Sequence, residues 1–291
     1  MNIKDITNTD NVNLSNCDEE PIHIPGTIQP HGVLLGVDKE TKLIKFCSGN
    51  ISRYLNISYE EALEKPLSKI FDLDKLQSFF QAPVDKVVSL KYPFSDKIVN
   101  LIAHSTKDWL IIELEPLNVE PPSQDLVDLS ASFISSMQET KTLKELCDLI
   151  TKSIKVITGY DRVVVYRFDE HYNGQVFSES KNDELESFLG LHYPHTDIPA
   201  QARELYLKNQ LRVVADVNYT PVQIYTTTKA THASLDLSLS VLRSVSPIHI
   251  QYLKNMNVGA TLTVSLILRG KLWGLINCLH HSPLYLPYDI R

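Results

Sequence analysis

Glycine is scarce in this chain, 10 in 291 residues, and none belongs to a G-x-x-x-x-G-K-[ST] or other glycine-rich phosphate loop. H-E-x-x-H and a Ser–His–Asp nucleophile motif are also missing, so the common nucleotide-hydrolysing, zinc-hydrolytic and acyl-transfer chemistries have no anchor here. The chain reads as a non-enzyme. Cysteine is equally sparse. Cys17, Cys47, Cys147 and Cys278 form no C-x-x-C pair, which argues against a disulfide framework or a structural zinc site and for a reducing cytoplasm. No uncharged apolar run reaches the ~20 residues of a membrane helix; the longest candidate, Val258 to Leu268, is interrupted by Thr261, Thr263 and Ser265. The first dozen residues mix Asp, Asn and Thr without an apolar core, so they are no secretory signal. A positive excess is absent too. Against 35 Asp+Glu stand 28 Lys+Arg, a net charge of −7, and nothing in bulk draws the protein to nucleic acid or an anionic membrane.

What is present is a globular composition, 43% hydrophobic and 22% charged, at a length that suggests two domains. A polar arm, residues 1–20, carries Cys17. Pro21, Pro25, Pro30 and Gly32 then break regular structure. Val33–Val37 and Leu43–Cys47 read as strands, Ser58 with Glu61 as a capping box opening a helix over Tyr59–Glu64, and Asp72–Phe80 as a second helix. Three strands follow: Val84–Leu90, Lys97–Ala103 and Trp109–Glu115. This gives an α+β domain over residues 21–118, an antiparallel sheet flanked by helices. Residues 119–125, with Pro121-Pro122, form a linker.

The remainder, 126–291, reads as a second α+β domain. Leu126, Leu129, Phe133 and Met137 recur at helical spacing. Thr142 with Glu145 opens another helix, which Gly159 closes. Val163–Phe168 and Gln175–Ser178 are strands joined through Asn173-Gly174. Thr261–Leu268 and Lys271–Leu279 form a hairpin across Arg269-Gly270. About 80 residues of loop and short helix lie between the hairpins, and excursions of that length usually serve function.

Two segments of that excursion concentrate polar chemistry. His192-Tyr193-Pro194-His195-Thr196-Asp197-Ile198-Pro199 is stiffened by two prolines, with Asp197 suited to cap the helix that Pro199 begins. His192 and His195 have metal-ligand spacing but no third ligand, so a zinc site is not expected. In Arg243–Tyr252, Ser246 caps a helix with Pro247 at its first position, and His249 and Tyr252 share a face. Arg212 and Arg243 stand among apolar residues, where a guanidinium suits bidentate capture of a carboxylate or phosphate.

Taken in order, these pieces resemble the PAS–GAF chromophore-binding region of bacterial phytochromes, from Cys17 to Arg291. The motifs are Cys17, Pro25-Gly26-Thr27-Ile28-Gln29-Pro30-His31-Gly32, Asp161-Arg162 through Tyr166-Arg167-Phe168, Asp197-Ile198-Pro199, Arg243 through Tyr252, and Leu272-Trp273-Gly274-Leu275-Ile276. The resemblance implies a PAS domain followed by a GAF domain, with the arm knotted through a GAF loop, an exception to the usual unthreaded chain. It implies biliverdin IXα as chromophore, in thioether linkage to Cys17. Plant-type relatives use a cysteine just before the pocket histidine, where this chain has Ile248. It further implies Arg212 and Arg243 as propionate ligands, and Asp197 and His249 as acceptors for the protonated pyrroles. Tyr166, Tyr193, Phe188 and Tyr252 would wall the D-ring, Thr261 and Thr263 would lie near a propionate, and Ile198, Tyr206 and Ser246 would complete the pocket.

Red light would then isomerise the bilin about its D-ring methine bridge. A homodimer through the GAF helices is implied, as are a following PHY domain and an output module, often a histidine kinase, that this sequence does not include. Without the PHY cover, incomplete formation of the far-red-absorbing state and some fluorescence are expected. The alternative is a PAS–GAF module for another ligand, such as a cyclic nucleotide or haem, in which Cys17 would be idle. The chain departs from the family at His195-Thr196, where Ala-Ser is usual. It departs again at Leu279, where a histidine usually bonds the D-ring carbonyl. His280 is displaced by one residue, which on a strand turns it to the other face.

Overall fold

The structure is a computed structural model that describes residues 20–94, 97–116, 124–227 and 235–291, with the backbone alone for 124–127. Cys17, the rest of the arm before Glu20 and most of the linker lie outside the described residues. In chain order the strands are β1 (Thr27–Ile28), β2 (Val33–Asp38), β3 (Ile44–Ser48), β4 (Val87–Phe94), β5 (Lys97–Ser105), β6 (Trp109–Pro116), β7 (Arg162–Phe168), β8 (Gly174–Lys181), β9 (His192–Tyr193), β10 (Leu211–Val214), β11 (Val222–Thr226), β12 (Ala260–Leu268) and β13 (Lys271–His280). The helices are α1 (Ser52–Leu55), α2 (Tyr59–Ala62), α3 (Gln77–Gln81), α4 (Gln124–Glu139), α5 (Leu143–Thr158), α6 (Ala200–Lys208) and α7 (Pro247–Asn255). The chain divides into two units: residues up to Leu117 with Tyr219–His249, and Asn118–Asn218 with Ile250–Arg291.

The first unit is built on a seven-stranded antiparallel sheet, β1-β11-β3-β2-β6-β5-β4. Both faces of its centre are covered, which is why β2 reads as a continuous apolar run. Val33, Leu35 and Val37 pack on one face with Leu55, Ala62, Leu76 and Phe79 from the helical segment. Leu34, Phe46 and Ile111 pack on the other face, under Leu235, Leu237 and Leu242. The segment that covers this second face comes from the stretch the sequence assigns to the second domain, as does β11, which inserts between β1 and β3. The expected knot of the arm through a loop of the second domain falls on the arm before Glu20, which lies outside the described residues.

A buried carboxylate holds the covering segment in place. Glu113 of β6 accepts hydrogen bonds from the Ser240 hydroxyl, from Val241 N at 3.0 Å and from Leu242 N at 2.7 Å. On the same segment, Gln29 N donates to Leu242 O at 2.7 Å and Thr27 Oγ1 to Ser244 Oγ at 2.8 Å.

The second unit holds a six-stranded antiparallel sheet, β10-β12-β13-β7-β8-β9. The amphipathic helix α5 opens on the Thr142/Glu145 capping box and closes on Gly159 at φ 72°. It lays Cys147, Ile150 and Ile154 against Val163, Val165, Leu262, Ile276 and Cys278. The opposite face carries Val164, Tyr166, Phe168, Val176 and Leu275. As expected, Cys47, Cys147 and Cys278 are buried free thiols, and burial pushes Cys47 and Cys278 up to about 12.

Four local readings change. The segment from Asp72 is a 3₁₀ turn over Leu73–Leu76 before α3, because the Asp72 carboxylate takes the Asp74 amide and tightens the turn. Asn173-Gly174 is not the turn of its hairpin. The β7–β8 loop runs through Asp169, whose carboxylate accepts from His171 N and Asn173 N at 2.8 and 2.9 Å, and Tyr172 takes the positive φ of 63°. Gly174 starts β8 instead, where a Cβ would stand 1.7 Å from the Tyr166 ring. Asp197 does not cap α6. It closes a 3₁₀ turn through its own amide on Pro194 O at 3.1 Å, and Pro199 is the N-cap. Finally, β9, β10 and β11 are strands within the excursion read as loop and short helix. The Arg269-Gly270 turn has the expected geometry, with φ of 51° and 76°, as a two-residue I′ hairpin requires.

Candidate functional site

Strand register gathers many of the singled-out residues on one face of the second unit's sheet. Arg212 stands directly opposite Thr263, and Val214 opposite Thr261. Thr261 is in turn opposite Leu279, and Thr263 opposite Asn277. Leu279 faces Arg162, and Leu275 faces Tyr166. Directly paired residues project to the same side, so Arg212, Thr261, Thr263, Leu279, Arg162 and Tyr166 share the face opposite α5. Thr261 and Thr263 are buried there, while Arg212 and Leu279 are half-buried. His280 projects to the other side, where it packs edge-on against Tyr160 of the α5-facing core.

An aromatic wall closes the β7–β8 end of this face. Tyr166 meets Phe168 at 5.4 Å and Tyr193 at 5.9 Å between ring centroids. Phe188, Ile198 and Tyr206 pack on the same cluster. Burial, then the neighbouring Asp197 carboxylate, Tyr252 and Tyr193, push the Tyr166 phenol up. Burial and then Asp197 and Tyr193 push the Tyr252 phenol up to about 12. Partial desolvation raises the Asp197 carboxyl as well. Three phenols and one carboxylate therefore lie close enough to sense one another, an arrangement that offers acceptors to a cationic, aromatic guest.

The loop bearing Asp197 is held by side chains that the sequence does not mark as functional. Arg203 of α6 donates to His195 O at 3.2 Å and to Ile198 O, and stacks over the Tyr172 ring at 4.5 Å. Asn173 Oδ1 accepts from His195 N at 3.1 Å. Ser265 Oγ donates to Tyr206 O at 2.7 Å, tying the end of α6 to β12. Phe188 is positioned by Arg162, whose guanidinium lies 3.4 Å from its ring centroid, and by Glu179, which accepts from Phe188 N at 3.0 Å. Of these, only Arg162 belongs to a motif that carries the family resemblance, and Asn173 reads in the sequence as a turn residue. Glu179 and Arg203 look like ordinary surface charges there.

Arg243, Ser246 and His249 fall in the first unit. Arg243 is buried and donates from Nη1 to Ile22 O at 2.7 Å. Ser246 Oγ accepts from Ile248 N at 3.3 Å, as a cap of α7 should. Glu20 is buried near both: desolvation raises its carboxyl, against the Ser246 hydrogen bond and the Arg243 charge. His249 is exposed on α7, three residues before Tyr252.

Comparison with known proteins fits this anatomy. Residues 17–117 match the PAS fold and residues 142–291 the GAF domain. The chain is 41% identical to cyanobacterial phytochrome B of Nostoc over its whole length, covering 40% of that protein. It is 38% identical to the bacteriophytochrome of Pseudomonas aeruginosa, with 96% of this chain and 39% of the other covered. The chromophore-binding domain of Stigmatella aurantiaca phytochrome P1 superposes with a TM-score of 0.85 at 38% identity, covering 95% of this chain and 94% of the other. The chain belongs to the bacterial phytochrome family.

It spans about two fifths of the length of the curated phytochromes it matches. Against the Stigmatella photosensory core module the TM-score is 0.88, and this phytochrome PAS–GAF pair covers 58% of that module. Neither matched domain is a kinase. Among the described residues, no helix is long and apolar enough to cross a membrane.

Proposed function

We propose that the chain is a red/far-red light-sensing module that binds biliverdin IXα, attached as a thioether to Cys17. The observation that carries this reading is the single sheet face on which Arg212, Thr261 and Thr263 adjoin a wall of Tyr166, Tyr193, Tyr252 and Asp197. A guanidinium with two hydroxyls suits a propionate, and the phenols with a carboxylate suit a protonated pyrrole system. Arg212 and Arg243 would hold the propionates. Asp197 and His249 would accept hydrogen bonds from the pyrroles, Ile198, Tyr206, Phe188 and Ser246 would line the pocket, and Leu279 would sit beside the D-ring. When bound, the bilin supplies Z/E photoisomerisation at the D-ring. The protein's own residues orient it, keep water from the rings and offer acceptors to the pyrrole protons.

Glu20, buried beside Arg243 and Ser246, supports the role of the arm. Glu20 is the first described residue after Cys17 and adjoins a proposed propionate ligand. The same reading divides the chain into an arm (1–20), a PAS domain (21–118), a linker (119–125) and a GAF domain (126–291), with the arm knotted through a GAF loop. It places the protein in the cytoplasm as the input of a two-component sensor, with PHY and output domains as partners. The exposed Leu129 and Ile134 of α4 and Val156 of α5 favour a homodimer through these helices.

The test is assembly with biliverdin, followed by the visible spectrum and zinc-induced fluorescence of the denatured protein. A red band with an adduct is expected, and Cys17→Ala should abolish the adduct. A band without an adduct would remove Cys17 from the site, and no band would overturn the reading.

Leu279 gives a second expectation. It cannot donate to a ring carbonyl, whereas a histidine there could. A hydrogen bond of about 1 kcal/mol changes a two-state ratio about fivefold. Leu279→His should therefore move the dark band and change the dark-reversion rate by about that factor. Unchanged spectra and rates would place residue 279 away from the D-ring.

A further inference from the structure

The end of the second unit's sheet where the central strand β7 begins and the central strand β13 finishes carries three metal-ligating side chains that the chromophore reading does not use. Asp161 precedes β7, His280 closes β13 and His281 follows it. Nδ1 of His280 lies 2.9 Å, and Nδ1 of His281 2.6 Å, from the same atom, Asp161 Oδ2. The three ligand atoms all lie within 4.8 Å of one another. The cluster is braced from outside. Asn182 Nδ2 donates to the other carboxylate oxygen at 3.0 Å, His281 N donates to Oδ2 at 2.9 Å, and the Tyr160 ring holds His280 edge-on. Such outer partners fix ligand orientation in metal sites. Asp161 and His280 are half-buried and His281 is exposed, so an ion can enter from solvent and keep water at its remaining positions.

Each of two imidazole nitrogens crowding one carboxylate oxygen needs a proton or a metal ion between it and that oxygen. A proton on the N···O line serves for His281, which has hydrogen-bond geometry. It does not serve for His280, whose buried Nδ1 lies at 2.9 Å yet makes no hydrogen bond among the described residues. Two ligand atoms close together, with the nitrogen not aimed along the line joining them, is the geometry of a shared metal. With bonds of about 2.0–2.2 Å, atoms 2.6 and 2.9 Å apart subtend about 75–90° at the ion. That is nearer a tetragonal or octahedral angle than a tetrahedral one, and nitrogen–oxygen sets of that kind suit Cu²⁺ and Ni²⁺.

We propose that Asp161, His280 and His281 form a divalent transition-metal site, taking Cu²⁺ or Ni²⁺ in preference to Zn²⁺. An ion here would clip the ends of β7 and β13 together, one residue along from the Arg162–Leu279 pair. The proposal is independent of the chromophore.

It is tested on the tag-free chain by calorimetric titration with NiCl₂, CuCl₂ and ZnCl₂, and by the electron paramagnetic resonance spectrum of bound Cu²⁺. One ion per chain with micromolar affinity is expected, with Zn²⁺ the weakest and imidazole nitrogen coupling in the Cu²⁺ spectrum. His281→Ala, an exposed change that leaves the fold intact, should weaken binding at least tenfold. His192→Ala should leave it unchanged. Absence of saturable binding at millimolar metal, binding that survives His281→Ala undiminished, or a preference for Zn²⁺ would each overturn the proposal.

Discussion

Glu113→Ala is expected to destabilise the first unit by about 3–5 kcal/mol in urea unfolding. The carboxylate is fully buried and is the acceptor for three donors of the covering segment: the Ser240 hydroxyl, Val241 N and Leu242 N. Truncation leaves all three without that acceptor, and each buried orphan costs about 1–3 kcal/mol before any relaxation. Glu113→Gln should cost less, because one oxygen remains while the new amide faces the Val241 N–H. A loss below about 1 kcal/mol for the alanine variant would mean that the covering segment is held mainly by Leu235, Leu237 and Leu242.

The same residue sets a pH dependence that the wild type partly conceals. Desolvation pushes the Glu113 carboxyl up to about 7 from 4.5. Folding therefore takes up a proton between those values, and stability falls as pH rises through that window. His104, on β5 of the same sheet, behaves oppositely. Neither of its ring nitrogens has a hydrogen bond among the described residues, and burial pulls it from 6.5 down to about 4. Between those values the unfolded chain holds the proton that the folded one refuses, so stability rises with pH. Each term is on the order of 3 kcal/mol, and the windows overlap from 4.5 to 6.5. The wild type should show a shallow profile from pH 4.5 to 6.5. Glu113→Gln should unmask a rising slope and His104→Leu a falling one. Parallel profiles in all three proteins would refute the assignment.

Legibility from sequence followed the range of the interactions involved. Both capping boxes, Ser58/Glu61 and Thr142/Glu145, formed as read, because their partners are three residues apart. Gly159 and Arg269-Gly270 were equally local. The insertion of β11 between β1 and β3 pairs Thr27 with Gln223, and no pattern within either segment announces a partner that distant. Asn173-Gly174 misled for a related reason. The glycine answers to the Tyr166 ring across the ladder, not to its own backbone dihedrals. Leu279 and His280 illustrate the positive case. Once the hairpin is paired, alternation alone sends one toward the aromatic wall and the other toward Tyr160 and Asp161. The polar supports of the site stayed hidden because a charged residue on a strand reads as solvated until its buried partner is known.

Glu179 is the sharpest instance, and Glu179→Gln should both destabilise the second unit and loosen the wall around Phe188. Glu179 and Arg162 form an ion pair at 2.8 Å with side chains only 4% and 6% exposed. Burial alone would pull the Arg162 guanidinium down, and the Glu179 charge opposes that shift. Removing one partner leaves an uncompensated buried cation, at a cost of about 3–5 kcal/mol. Glu179 also gathers the 187–189 turn, accepting from Ser187 Oγ at 2.6 Å, Phe188 N at 3.0 Å and Leu189 N at 3.3 Å. Arg162 holds the preceding carbonyl, Glu186 O, at 2.6 Å. Hydrogen exchange at the Phe188 and Leu189 amides should therefore accelerate in Glu179→Gln beyond what the global destabilisation explains. Arg162→Met/Glu179→Leu, which removes both charges, should recover much of the lost stability while the two amides stay fast. Stability would then trace to the buried pair and loop order to the carboxylate. Equal recovery of both would show that packing alone positions Phe188.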